Sequence, residues 1–120
     1  MRVREVDERD SSWEDHRPIF RVYLFRGGEH RPSSWTTWTY DVEDADLIDV
    51  AQWAQAKVGD SGLYAVALVR QEAGFSNEGP QKGLVWLIGN DANDEPFAQP
   101  HFAARERMTA LRDKPIFPIE

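Results

Sequence analysis

The chain has 120 residues, a formal net charge of −7 and 41% apolar side chains, enough for one compact domain and too few for two. It contains no cysteine, which excludes disulfide scaffolds, thiolate metal sites and thiol catalysis together. The longest apolar run, positions 63–69, falls far short of the ~18 residues that a membrane span needs.

Residues 1–17 carry ten charges and only four apolar side chains, Met1, Val3, Val6 and Trp13. So little apolar surface does not offset the entropy of ordering, and a charged, flexible arm is expected, with Trp13 as its one candidate partner anchor. The arm has no apolar signal core, from which a cytoplasmic location follows as an expectation. Pro18 then introduces a predicted strand, Ile19 to Arg26, with Phe20, Val22 and Leu24 on one face and Arg21, Tyr23 and Phe25 on the other. Positions 27–34 mix glycine, proline and serine as a turn does, and positions 35–42 have the aromatic and β-branched chemistry of a second strand. The two runs predict an antiparallel hairpin.

A helix follows, capped by Asp41 or Asp44, with Asp46 adding charge where the helix dipole favours it. Leu47, Val50, Ala51, Ala54 and Val58 form its apolar stripe, Ile48 and Trp53 flank it, and Gly59 suits the C-cap. Positions 63–69 and 84–88 are apolar on both faces and read as central strands, separated by a long polar loop. An acidic turn at 90–96 precedes a second predicted helix, from Pro100 to about position 113, whose stripe is Ala103, Ala104, Met108 and Leu111. The fold class is therefore α+β: an antiparallel sheet of about four strands with two helices packed on one face, in the order ββαββα. Residues 18–114 form the domain, and residues 115–120 an apolar tail. Each half reads hairpin, acidic turn, helix, as an internal duplication would.

No nucleophile elbow, phosphate loop or metal-ligand spacing is present, so no catalytic residue, metal or cofactor is assigned. Twelve-residue calcium loops begun at Asp41 or Asp91 lack both the glycine at position six and the glutamate at position twelve. What stands out is charge. Between Pro32 and Ala56 there is no lysine or arginine, while Asp41, Glu43, Asp44, Asp46 and Asp49 all fall there. They are either ordinary capping acids or a negative patch for a basic surface, which Asp91, Asp94 and Glu95 of the second turn would extend. Trp35 and Trp38 lie on opposite faces of one strand, so at most one points inward and the other is a candidate anchor; Trp53 and Trp86 read as core. Arg17, Arg21, Arg26 and Arg31 make a weak basic stripe, but the neighbouring acids argue against direct nucleic-acid binding.

The stretch from Phe20 through Gly27, Gly28, Glu29, His30, Arg31, Pro32, Ser33 and Ser34 to Trp35, continuing in Trp38, Thr39, Tyr40 and Asp41, resembles small uncharacterised proteins of GC-rich Gram-positive bacteria, some carried on mobile elements. Arginine outnumbers lysine eleven to three, as a GC-rich genome would produce. The resemblance implies an accessory protein and transfers no functional residue. The primary expectation is a non-enzymatic domain presenting its acids to a basic protein partner, as an immunity factor, an antitoxin, a host-modulating protein or a mimic of DNA would. The alternatives are a small enzyme or ligand-binding domain with a pocket near Glu29, His30, Trp38 and Tyr40, and a homo-oligomer, such as a homodimer, joined through its C-terminal tail.

Overall fold

The structure, a computed structural model, describes residues 1–27, 35–72, 81–92, 106–112 and 114. Four strands form one antiparallel sheet: β1 (Ile19–Arg26), β2 (Thr36–Val42), β3 (Leu63–Glu72) and β4 (Gln81–Ile88), in the spatial order β2-β1-β3-β4. Helix α1 (Leu47–Val58) joins β2 to β3, and residues 106–111 are helical. This is the α+β class that the apolar patterning predicts. The hairpins β1–β2 and β3–β4 abut through their first strands, and Phe20 pairs with both Val42 and Leu68. Because β1 and β3 run antiparallel, the chain leaves β2 and β4 in opposite directions, from Val42 level with Leu68 and from Ile88 level with Val66.

The alternation of β1 fixes the layers. Phe20, Val22 and Leu24 turn toward α1 and meet Val50, Ala54 and Val58, with Tyr64 and Val66 of β3 completing the cluster. On the opposite face Phe25, Leu63 and Ala65 enclose Ala92 and Met108, and Tyr23, Trp35 and Trp86 pack around them. The segment 106–112 therefore serves both layers, since its Met108 joins the far cluster and its Leu111 packs against the α1 cluster. The second helix is thus less one-sided than the sequence suggests. It is tied to α1 by the Gln55 amide, which donates to the Leu111 carbonyl at 2.8 Å and to that of Lys114. Burial pushes the Tyr64 hydroxyl up from its ordinary pKa, with the Gln55 side chain pulling the other way.

Two glycines are required by close packing. A Cβ on Gly62 would stand 2.6 Å from the Phe25 carbonyl oxygen and 2.5 Å from a Val58 methyl group. At Gly89, where φ is 71°, it would press on Met108 at 3.0 Å.

Three sequence expectations need correction. Positions 84–88 do not form a central strand: β4 lies at an edge of the described sheet, and a register shift between Val66 and Ala67 leaves Leu87 without a pairing partner. Apolarity on both faces misled because Val85 and Leu87 are partly exposed rather than covered. The cap of α1 is Asp46, not Asp41 or Asp44; its carboxylate accepts from the Asp49 N–H at 2.8 Å. Asp44 instead turns the chain with φ of 56°, a conformation that Asp tolerates better than most residues. Trp53 is not core but 40% exposed, because it lies on the flank of the apolar stripe. Residues 1–17 are exposed, with one 3₁₀ turn at Glu8–Asp10, and the Arg70 guanidinium lies 5.4 Å from the centre of the Trp13 ring. The tail, 115–120, and the start of the second predicted helix, 100–105, lie outside the described residues.

Candidate functional site

The acidic block does not stay together. Asp41 shares a strand face with Thr37 and Thr39, opposite to Tyr40 and Val42, and so turns away from α1. There Arg21 grips it in a two-point contact, Nε to Oδ1 at 2.7 Å and Nη2 to Oδ2 at 3.1 Å. These hydrogen bonds, with the Arg21 and Lys82 charges, hold the Asp41 carboxyl below its ordinary pKa against an opposing desolvation effect. The same pairing raises the Arg21 guanidinium. Asp41 is therefore a structural partner and leaves the patch.

Glu43, Asp44, Asp46 and Asp49 remain, gathered in the β2–α1 turn and the first turn of the helix. All four are exposed, and none forms an ion pair with a cation among the described residues. Ile88 ends β4 level with Tyr40, and Ala92 beyond it packs with Phe25 and Leu63 on the face away from α1, so Asp91 lies toward the other end of the sheet from this turn, roughly 15 Å away along the strands. Asp91 thus does not adjoin the β2–α1 turn. Asp94 and Glu95 lie outside the described residues, as do Glu29 and His30.

The tryptophans separate as the strand geometry demands. Trp35 is half-buried against the far cluster, whereas Trp38 stands 45% exposed on the α1 side. Asp49, Trp53 and Lys57 recur every four residues and mark one flank of α1, while Gln55 lies on the other. The Trp53 ring meets Tyr40 edge-on, at 5.3 Å between centroids and 82° between planes. The α1–β2 flank thus reads, from one end to the other, four carboxylates, the Tyr40–Trp53 pair, then Trp38 with Lys57 and Arg26.

At the last of these stations lies a cleft of about 210 Å³ lined by Leu24, Arg26, Trp38, Tyr40 and Lys57. It exists because α1 rests on β1 and β3 and leaves the inner face of β2 largely uncovered. Arg26 is fixed at its rim, donating to the carbonyls of Val58 at 2.8 Å and Lys57 at 3.3 Å in the last turn of α1. Of the expected pocket residues Trp38 and Tyr40 line this cleft and Glu29 and His30 lie outside the described residues; Leu24, Arg26 and Lys57 were not among them. Their signal was legible only as a pairing of Arg26 with the C-terminus of a helix more than thirty positions later. The weak basic stripe is likewise dispersed, since Arg21 holds Asp41, Arg26 caps α1 and Arg31 lies outside the described residues.

Among the described residues no group of three or more His, Cys, Asp or Glu side chains is placed to hold a metal ion, and no helix is long and apolar enough to cross a membrane. No family model, curated protein or solved structure matches the chain.

Proposed function

We propose that the chain is a non-enzymatic protein-interaction domain, and that its recognition surface is the β2–α1 turn with the adjoining flank of α1. One observation carries this reading: four exposed carboxylates without cationic partners among the described residues stand beside Trp53, which is 40% exposed. Like charges at one turn repel one another, and the fold itself uses only Asp46, as the cap of α1, and Asp49, in the first turn of the helix. A basic partner surface would relieve the repulsion and bury Trp53 as the anchor. Settings such as immunity, antitoxin action, host modulation or DNA mimicry all use a surface of this kind, in the cytoplasm of a bacterium on the sequence reading.

The test compares the wild-type chain with E43K/D44K/D49K, which spares the Asp46 cap, and with W53A, in capture from a lysate of the source cells followed by mass spectrometry. The expected outcome is a basic protein recovered by the wild type and lost with both variants. Capture unchanged in the charge-reversed variant would refute the reading.

A further inference from the structure

The cleft at the other end of the flank has a chemistry that the acidic turn does not explain. Its floor is Leu24, a buried side chain, and its β2 wall is Trp38 and Tyr40, two residues apart and so on one face. Tyr40 is in T-shaped contact with Trp53. Arg26 is anchored by two main-chain carbonyls, and Lys57 stands on the helix wall. In a chain of net charge −7, both charged residues among the described lining are cations.

We infer that this cleft binds an aromatic carboxylate, the ring lying against Trp38 and Tyr40 over Leu24 and the carboxylate meeting Lys57 and Arg26. Aromatic walls favour a ring in offset or edge-to-face contact, and a charge-assisted hydrogen bond from a cation fixes the acid. The size agrees: about 210 Å³ is below the roughly 300–1,000 Å³ of pockets for drug-sized ligands, so the cleft takes one ring and its charged group. The competing account is that Arg26 and Lys57 only complement the negative end of the α1 dipole. That account requires neither Trp38 nor an uncovered strand beside the two cations. Lys57 shares the α1 flank with Trp53, but none of the cleft residues lies in the acidic turn, so the two readings are tested by different variants.

The experiment titrates the full chain with 3-phenylpropionate and with its neutral amide, following the indole N–H resonance of Trp38, assigned with W38F. A saturable shift is expected with the acid, and binding about tenfold weaker or more with the amide. K57Q should weaken the acid by a similar factor at an unchanged thermal midpoint, K57R should restore it, and W38A should abolish it. E43Q/D44N should bind as the wild type does, so loss of partner capture and loss of this site are read separately. A tripeptide ending in phenylalanine forms a further arm: affinity equal to that of the free acid assigns a small molecule, and higher affinity assigns the carboxyl terminus of a chain. Absence of saturation up to roughly 10 mM, equal affinity for acid and amide, or full affinity in K57Q would overturn the site and leave the two cations as helix caps.

Discussion

The proposed surface requires that the carboxylates of the β2–α1 turn be uncompensated, and this is open to a stability measurement that needs no partner. The substitution is E43Q/D44N. Each change keeps the side-chain shape; Asn accepts the left-handed backbone of Asp44, and the Asp46 cap is untouched. Carboxylates a few residues apart on a turn stand roughly 8 Å from one another. At that separation two like charges in water repel by about 0.5 kcal/mol, reduced to about 0.2 kcal/mol at physiological ionic strength. The five pairs that Glu43 and Asp44 make with each other and with Asp46 and Asp49 sum to about 1 kcal/mol in the fold at physiological salt and about 2 kcal/mol at 20 mM; such close neighbours also repel in the unfolded chain, so the double substitution should raise stability by about half of these values. The helix dipole offsets little of this, because neither residue lies within the first turn of α1. Urea unfolding at low and at high salt gives the answer, as a midpoint that rises with an unchanged slope and a gain that shrinks as salt increases. A variant no more stable than the wild type at low salt, or a gain indifferent to salt, would mean that these acids are neutralised in the fold and would remove the basis for the partner reading.

Two further predictions concern the frame that holds the surface. Met108→Ala should destabilise by about 2–4 kcal/mol, since the buried side chain ties the 106–111 helix to Phe25, Leu63 and Ala65; thermal unfolding measures it, and a change under about 1 kcal/mol would show that this helix is held elsewhere. The folded pKa of Asp41 is depressed, so the stability it contributes is present above the unfolded value near 4 and is lost as pH falls through the folded value. The side chain is 44% exposed and its ion pair is screened, so the effect should be about 1 kcal/mol or less, read as a wild-type advantage over Asp41→Asn that is flat above about pH 5 and narrows as pH falls below the unfolded value. An advantage independent of pH would place the role of Asp41 outside its charge.

The elements were legible wherever one periodicity spoke alone. Phe20, Val22 and Leu24 alternate with polar or aromatic neighbours and identified β1 with its inner face, and the stripe from Leu47 to Val58 identified α1. Gly59, just beyond it, was legible as the C-cap and has the positive φ that this position favours. What failed depended on the order of strands. Positions 84–88 are as apolar as 63–67, and only the pairing of β3 with β1 makes β3 central and β4 an edge. The acidic block failed for a related reason: five acids are neighbours in sequence, but the two-residue period of β2 turns Asp41 to the far face, where Arg21 is its cross-strand partner. Pairing Arg21 with Asp41 was within reach of the hairpin reading once the register was fixed. The separation of Asp91 from the β2–α1 turn also follows from topology, because inverted hairpins send the chain out of β2 and β4 in opposite directions.

The same topology explains why aromatic side chains stand in water on one flank of α1. A helix about 10 Å across covers roughly two strands spaced about 4.8 Å apart, and α1 covers β1 and β3. Its other flank is occupied by the segment to which Gln55 donates, so the uncovered strip falls on the β2 side. Some exposure there is a geometric necessity, but its composition is not. A position half open to water on an edge strand or a helix flank is satisfied by threonine, lysine or glutamate, and β2 itself has threonine at 36, 37 and 39. Tryptophan at 38 and at 53 leaves apolar surface exposed that those residues would not. Neither Trp38 nor Trp53 belongs to the buried clusters, so the proposed recognition surface and cleft are what give this exposed aromatic strip, set between a carboxylate cluster and a pair of cations, a use.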